Sequence, residues 1–193
     1  MNWKKVFIEI ADEIISQKDY LTDLDIAIGD SDHGINMERG FSNVKVAIEN
    51  IDETNVQEIL KSVGMILLSK VGGASGPLYG MSFREASVKV DNSMSKEEII
   101  ETIAASFVYT IKRLGKSQLG DKTMMDVWEN FANFYATEKD KAKNIKKLNG
   151  FVDSTKDMEA KKGRASFLGK RSIGTIDPGS ASSKIIIMGL LNI

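Results

Sequence analysis

The chain has 193 residues, with 26 Lys plus Arg against 27 Asp plus Glu, for a formal net charge of −1. That balance lacks the basic excess of a nucleic-acid binder. With no Cys and a single His, thiolate zinc sites, iron–sulfur clusters, a Cys nucleophile and a disulfide frame are excluded. The length suits one domain over 1–193, able to bury about 70% of its extended surface. The opening stretch MNWKKVFIEIADEIISQ has its apolar residues interrupted by Glu9, Asp12 and Glu13. It therefore reads as a helix and not as a secretory signal. No apolar run is long enough for a membrane span, so the expected compartment is the cytoplasm.

Trp3, Phe7, Ile10 and Ile14 place an apolar stripe on a first helix. The segment LDIAIGDSDHGINMERG, residues 24–40, follows. It brings Asp25, Asp30 and Asp32 together beside Gly29 and Gly34. Oxygen ligands suit magnesium, and a cation would relieve the repulsion among three carboxylates. The same composition also suits an acidic turn with a helix cap. His33 could touch a ligand, or orient a neighbouring Asp. Asn36 and Met37 could equally be first-turn and core residues.

Phe41, Val44, Ile48 and Ile51 predict a further helix. Thr54 with Gln57 predicts a capping box opening a helix through Ile59, Val63 and Ile66. The stretch SKVGGASGPLYG, residues 69–80, is either an anion-binding loop around Ala74 and Ser75 or a helix–helix turn with Pro77 opening the next helix. It contains no Walker A pattern. Ser95 with Glu98 predicts a second capping box before Ile99, Ile103, Phe107 and Ile111. In RLGKSQLGDKTMMDVW, residues 113–128, Asp121 is the expected N-cap of a helix bearing Met125, Trp128 and Phe131.

The charged run EKDKAKNIKKLNGF suggests a connector or the start of an exposed helix pair. In KKGRASFLGKRSIGTIDPGSAS, residues 161–182, Arg164 and Arg171 could each offer a donor fork to phosphate, or equally serve as solvated surface charges. Asp177, Pro178 and Gly179 make a tight turn before a closing helix, Ala181 to Leu191. SIGTI and KIIIM are the only strand candidates. The expected class is all-α, with seven or eight helices and a nucleotide–magnesium site among glycine-rich loops.

The strings YLTDLDIAIGDSDHGINMERGF, VGGASGPLYG, GDKTMMDVW and KKGRASFLGKRSIGTIDPG closely resemble the nucleotide-binding L subunits of bacterial dihydroxyacetone kinases. The likeness runs nearly end to end. It implies a single-domain barrel of about eight antiparallel helices with ADP or ATP and two magnesium ions in the loops at one end. It further implies Asp25, Asp30 and Asp32 as metal ligands. The nucleotide contacts it implies are His33, Gly34, Ile35 and Asn36, then Ala74 and Ser75, then Gly115 and Met124. Arg164 and the turn Asp177, Pro178, Gly179 complete that set.

The resemblance implies a phosphotransferase subunit, active only with partners. Its ADP would be rephosphorylated by a phosphohistidine-carrying M subunit and the phosphoryl group passed to dihydroxyacetone on a K subunit. In some relatives a transcription regulator is a further partner. The alternatives are an ATP-dependent kinase subunit for another small ketose and a regulatory nucleotide-binding module.

Overall fold

A computed structural model describes residues 1–192. Among them, every regular element is helical. Nine α-helices follow in order: α1 Trp3–Ser16, α2 Lys18–Ile28, α3 His33–Ala47, α4 Val56–Lys70, α5 Ser75–Ser87, α6 Lys96–Thr110, α7 Met124–Tyr135, α8 Lys141–Ser154 and α9 Pro178–Leu191. A π turn, Ile111–Gly115, ends α6, and 3-10 turns occupy Thr155–Asp157 and Arg164–Ser172. No helix among the described residues is long and apolar enough to cross a membrane.

The helices close into a ring. α1 packs on α3, α3 on α4, α4 on α5, α5 on α6 and α6 on α7, and α9 joins α7 back to α1. α2 and α8 both lie against α9. Aromatic rings fill the interior. Phe7 meets Phe83 edge-on at 5.5 Å, Phe83 meets Phe107 at 4.9 Å, and Phe107 stacks on Trp128 at 3.8 Å. Such pairs add about 0.5–1.5 kcal/mol each beyond their buried area. The tightest pairing, α4 on α5, depends on two facing glycines. A Cβ on Gly64 would lie 2.7 Å from the Gly80 carbonyl oxygen, and one on Gly80 would lie 2.6 Å from the Leu68 amide.

The expected all-α class and the stripe of Trp3, Phe7, Ile10 and Ile14 are found, with all four side chains buried. The count is nine instead of seven or eight because the first helix breaks at Gln17 and α2 continues the chain to the acidic loop. The charged run at 138–151 is neither a connector nor a helix pair. It forms the single helix α8, capped by Asp140, with Leu148 and Val152 buried. KIIIM is helical, inside α9. That helix touches α1, α2, α7 and α8, so an apolar run suits its packing on several sides, and its Asp177 cap with Pro178 at the first position sets the start.

Two caps fall elsewhere than expected. Asn55, and not Thr54, caps α4, because the Thr54 hydroxyl and amide both turn to Asp52. Thr123, and not Asp121, caps α7 in a reciprocal box with Asp126. The Ser95–Glu98 box on α6 is present as read.

Candidate nucleotide and metal site

One end of the ring gathers the end of α2 and the α6 π turn with the starts of α3, α5, α7 and α9. A cleft of about 300 Å³ opens there. His33, Ser75, Met124 and Pro178, the first residues of those four helices, all line it. Each helix N-terminus carries roughly half a positive charge and amides that the helix does not use. Four of them facing one cleft make a strong preference for an anion.

Three of the four starts are satisfied by side chains. Asp25 Oδ2 accepts from the amides of Asp32 (2.9 Å) and His33 (3.1 Å) at α3. Thr123 and Asp126 close α7, and Asp177 accepts from the Ser180 amide (2.7 Å) at α9. The start of α5 differs. Its N-cap position is Ala74, which has no side-chain acceptor, and Gly72 and Gly73 precede it. The start of α5 is thus the one of the four with no side-chain acceptor at all.

Ligand oxygens of Asp25, Asp30 and Asp32 lie within 4.8 Å of one another. Ser31, between the last two, adopts a left-handed backbone (φ 66°) that folds the loop sharply enough to aim both flanking carboxylates at Asp25. Magnesium holds oxygens at about 2.1 Å, and all-oxygen donors are its preferred set, so the triad fits a divalent cation. Asp25 is buried, and its Oδ2 is occupied by two amides, which leaves Oδ1 for a metal. Arg164 Nε reaches Asp30 Oδ2 at 2.7 Å and ties the acidic loop to the basic segment on the opposite wall.

His33 is buried, and both ring nitrogens have hydroxyl partners: Nε2 with Ser182 Oγ at 2.9 Å and Nδ1 with Ser75 Oγ at 3.2 Å. Burial pulls its pKa below the usual histidine range, against the opposing pull of Asp25 and Asp32. A neutral imidazole in this position orients Ser75 at the start of α5.

Most of the expected contacts meet in the cleft: the three carboxylates, His33, Asn36, Ala74, Ser75, Gly115, Met124, Arg164, Asp177, Pro178 and Gly179. Gly34 and Ile35 do not line it. Gly34 is a packing residue, since a Cβ there would stand 2.0 Å from the Lys18 carbonyl oxygen and separate α2 from α3. Ile35 projects outward and is 46% exposed. Ile28, Leu78, Ile111 and Met124 give the cleft an apolar side suited to a flat base.

The chain as a whole has known relatives. A DAK2 domain profile matches residues 27–192. The ADP-binding subunit DhaL of the PEP-dependent dihydroxyacetone kinase 1 of Listeria innocua is 42% identical over 183 residues, covering 95% of this chain and 91% of that one. The chain belongs to the DAK2 family. The DhaL subunit of Lactococcus lactis is 43% identical, covering 94% of this chain and 91% of its own, and that of Escherichia coli is 40% identical, covering 99% and 93%. The fold matches the crystal structure of the dihydroxyacetone kinase of C. freundii with a TM-score of 0.79 at 18% identity, over 98% of this chain and 34% of that one.

Two parts of this DAK2 site gave no signal in the sequence. Lys122, 1% exposed, lines the cleft and donates to the carbonyls of Met158 (3.1 Å), Ser172 (2.7 Å) and Thr175 (2.6 Å). Its left-handed backbone (φ 57°) turns the side chain inward, and burial depresses its pKa, opposed by Asp177 and Asp157. Beneath His33, Tyr79 meets Ser182 (2.7 Å) and Ser183 (2.9 Å), and Trp128 Nε1 donates to Ser183 (2.9 Å). This chain of hydroxyls runs from the cleft to the aromatic core and fixes where α5 and α9 begin.

Proposed function

We infer that this chain is the ADP-binding subunit of a PEP-dependent dihydroxyacetone kinase, a single domain over 1–193 that works only with its partners. The observation that supports the reading best is the convergence of the Asp25–Asp30–Asp32 triad and the uncapped start of α5 on one cleft. Carboxylates alone suit a cation, and helix amides alone suit an anion. The two together suit a metal-bound polyphosphate.

Asp25, Asp30 and Asp32 would hold magnesium, which supplies charge neutralisation for the phosphates when bound. Carboxylates whose ligand oxygens lie within 4.8 Å of one another can be shared between two magnesium ions, the number the family resemblance implies. The α5 amides and the Ser75 hydroxyl bind phosphate oxygens, and His33 holds that hydroxyl in place. Leu78, Ile111 and Met124 receive the base. Arg164 brings a cation to the transferring phosphoryl group, where charge stabilisation counts most. His33, Asn36, Ala74, Gly115, Asp177, Pro178 and Gly179 form the remaining contacts, whereas Gly34 and Ile35 shape the loop without touching the ligand.

In this reading a phosphohistidine protein of the M type rephosphorylates the bound ADP. The terminal phosphoryl group then passes to a hydroxyl of dihydroxyacetone on a K-type subunit. A relay fed by phosphoenolpyruvate would work in the cytoplasm, the compartment this reading expects. Calorimetric titration of the purified chain with ADP tests the binding half. Binding should require magnesium, vanish with a chelator and be lost in Asp32→Ala. A chain that takes up no nucleotide with magnesium present would overturn the reading.

A further inference from the structure

Phe167 is 87% exposed, the most exposed large apolar side chain among the described residues. It stands in the 3-10 turn Arg164–Ser172. Residues three apart in such a turn share a face, so Phe167 follows Arg164 one turn, about 6 Å, along the turn's axis. Arg164 and Ala165 line the cleft and Phe167 does not. The ring therefore stands at the mouth. Beyond it, Lys170 and Arg171 are exposed and form no ion pair among the described residues, while Lys161 faces Asp121 and Arg164 holds Asp30.

This loop is rigidly held. The Lys122 ammonium joins its two ends through Met158, Ser172 and Thr175. Ser172 Oγ accepts from the Ala160 amide (2.9 Å) and donates to the Gly169 carbonyl (2.6 Å), and the Gly174 amide donates to the Lys156 carbonyl (2.8 Å). A bare aromatic ring displayed on a braced loop costs little conformational entropy when it is covered, which is the property of an interface anchor.

We propose that the braced segment 159–174 is the docking element for the subunit that carries the alcohol acceptor, with Phe167 entering an apolar socket rimmed by carboxylates that meet Lys170 and Arg171. This deepens, and rests on, the transfer reading above. Phosphoryl transfer between subunits brings the acceptor atom into contact with the nucleotide, so that subunit must cover the mouth where Phe167 stands. The choice of the acceptor side follows from chemistry. A neutral alcohol is no better a nucleophile than water, so its transfer needs water expelled from the mouth, and an apolar seal does this. The anionic terminal oxygen of ADP, attacking a phosphohistidine, has less need of that seal.

The test uses Phe167→Ser and, separately, Lys170→Glu in the full chain. Direct binding of each to the dihydroxyacetone-carrying subunit is measured by surface resonance, alongside ADP titration and both transfer half-reactions. The expected result is at least about a tenfold loss of affinity for that subunit, a matching rise in its KM, and kcat at saturation within about twofold. ADP binding and rephosphorylation by the phosphohistidine donor should be unchanged. Unchanged affinity for the acceptor subunit would overturn the proposal. So would an equal loss toward the donor, or a loss of ADP binding, which would assign Phe167 to the nucleotide. A parent chain that binds the acceptor subunit through Phe167 yet transfers nothing would refute the kinase reading and leave the docking surface standing.

Discussion

The three aspartates do different work. Asp25 is buried and caps α3 through two amides, whereas Asp30 and Asp32 make no comparable backbone cap. Asp25→Ala should therefore cost fold stability, about 1–2 kcal/mol by the usual worth of a cap, as well as nucleotide binding. Asp30→Ala should weaken ADP retention at least about tenfold, the loss of one charge-assisted contact, with an unchanged far-UV circular dichroism spectrum. Urea melts of the two variants beside ADP titrations separate these effects. Equal destabilisation by both would refute the division.

Asp177 offers a pH test. Burial raises its carboxyl to about 6, against the pull of the Ser180 amide and hydroxyl and of Lys122. An unfolded Asp titrates near 3.9. The folded state thus binds the proton more tightly than the unfolded state. The stabilisation from that proton is fully present below about pH 4 and is lost as pH rises through about 6. Asp177→Asn keeps the cap, since Asn caps as well as Asp, and removes the titration. The variant should gain on the parent by about 2–3 kcal/mol between pH 4 and pH 7, read from urea unfolding at both values. A constant difference across that range would contradict it.

At the scale of elements, the decisive feature is where helices start. Acid–glycine spacing in residues 24–40 and small residues in 72–76 are local features, so the clustering of Asp25, Asp30 and Asp32 and the small-residue loop before α5 are legible in the sequence. Lys122 is not, because nothing in GDKT reports that three carbonyls from residues 36 to 53 positions away will enclose its ammonium. Gly34 enters the expected contacts only through the family resemblance, and its packing is equally invisible in the sequence: the backbone of α2 presses on it, and it does not line the cleft. Caps shifted by one or two residues at α4 and α7 because neighbouring Asp, Asn and Thr side chains compete for the same amides.

Lys122→Met should cost about 2–4 kcal/mol, by leaving three carbonyls without their donor. The loss should be local in its first effect. Hydrogen exchange of amides in 158–175 should accelerate under native conditions while α1 and α9 retain protection. Uniform loosening of the whole chain would show that Lys122 supports the ring instead of the loop that carries Arg164 and Phe167.

For the whole molecule, α9 closes the ring and also supplies one wall of the cleft, so fold and site share a single keystone. The core is aromatic and continuous from α1 to α7, and the polar cleft sits at one end of it. In the proposed reading the chain holds and presents a phosphoryl group at this end, and the acceptor hydroxyl and its proton chemistry belong to the partner subunit.

The most direct test is a reconstituted transfer assay. The chain is loaded with ADP and magnesium and supplied with phosphorylated donor protein, the dihydroxyacetone-binding subunit, or both, and dihydroxyacetone phosphate is followed with time. The account predicts phosphorylation of the bound nucleotide with donor alone, no sugar phosphate without the dihydroxyacetone-binding subunit, and turnover only with all three proteins. Sugar phosphate made by the chain without that subunit would contradict it.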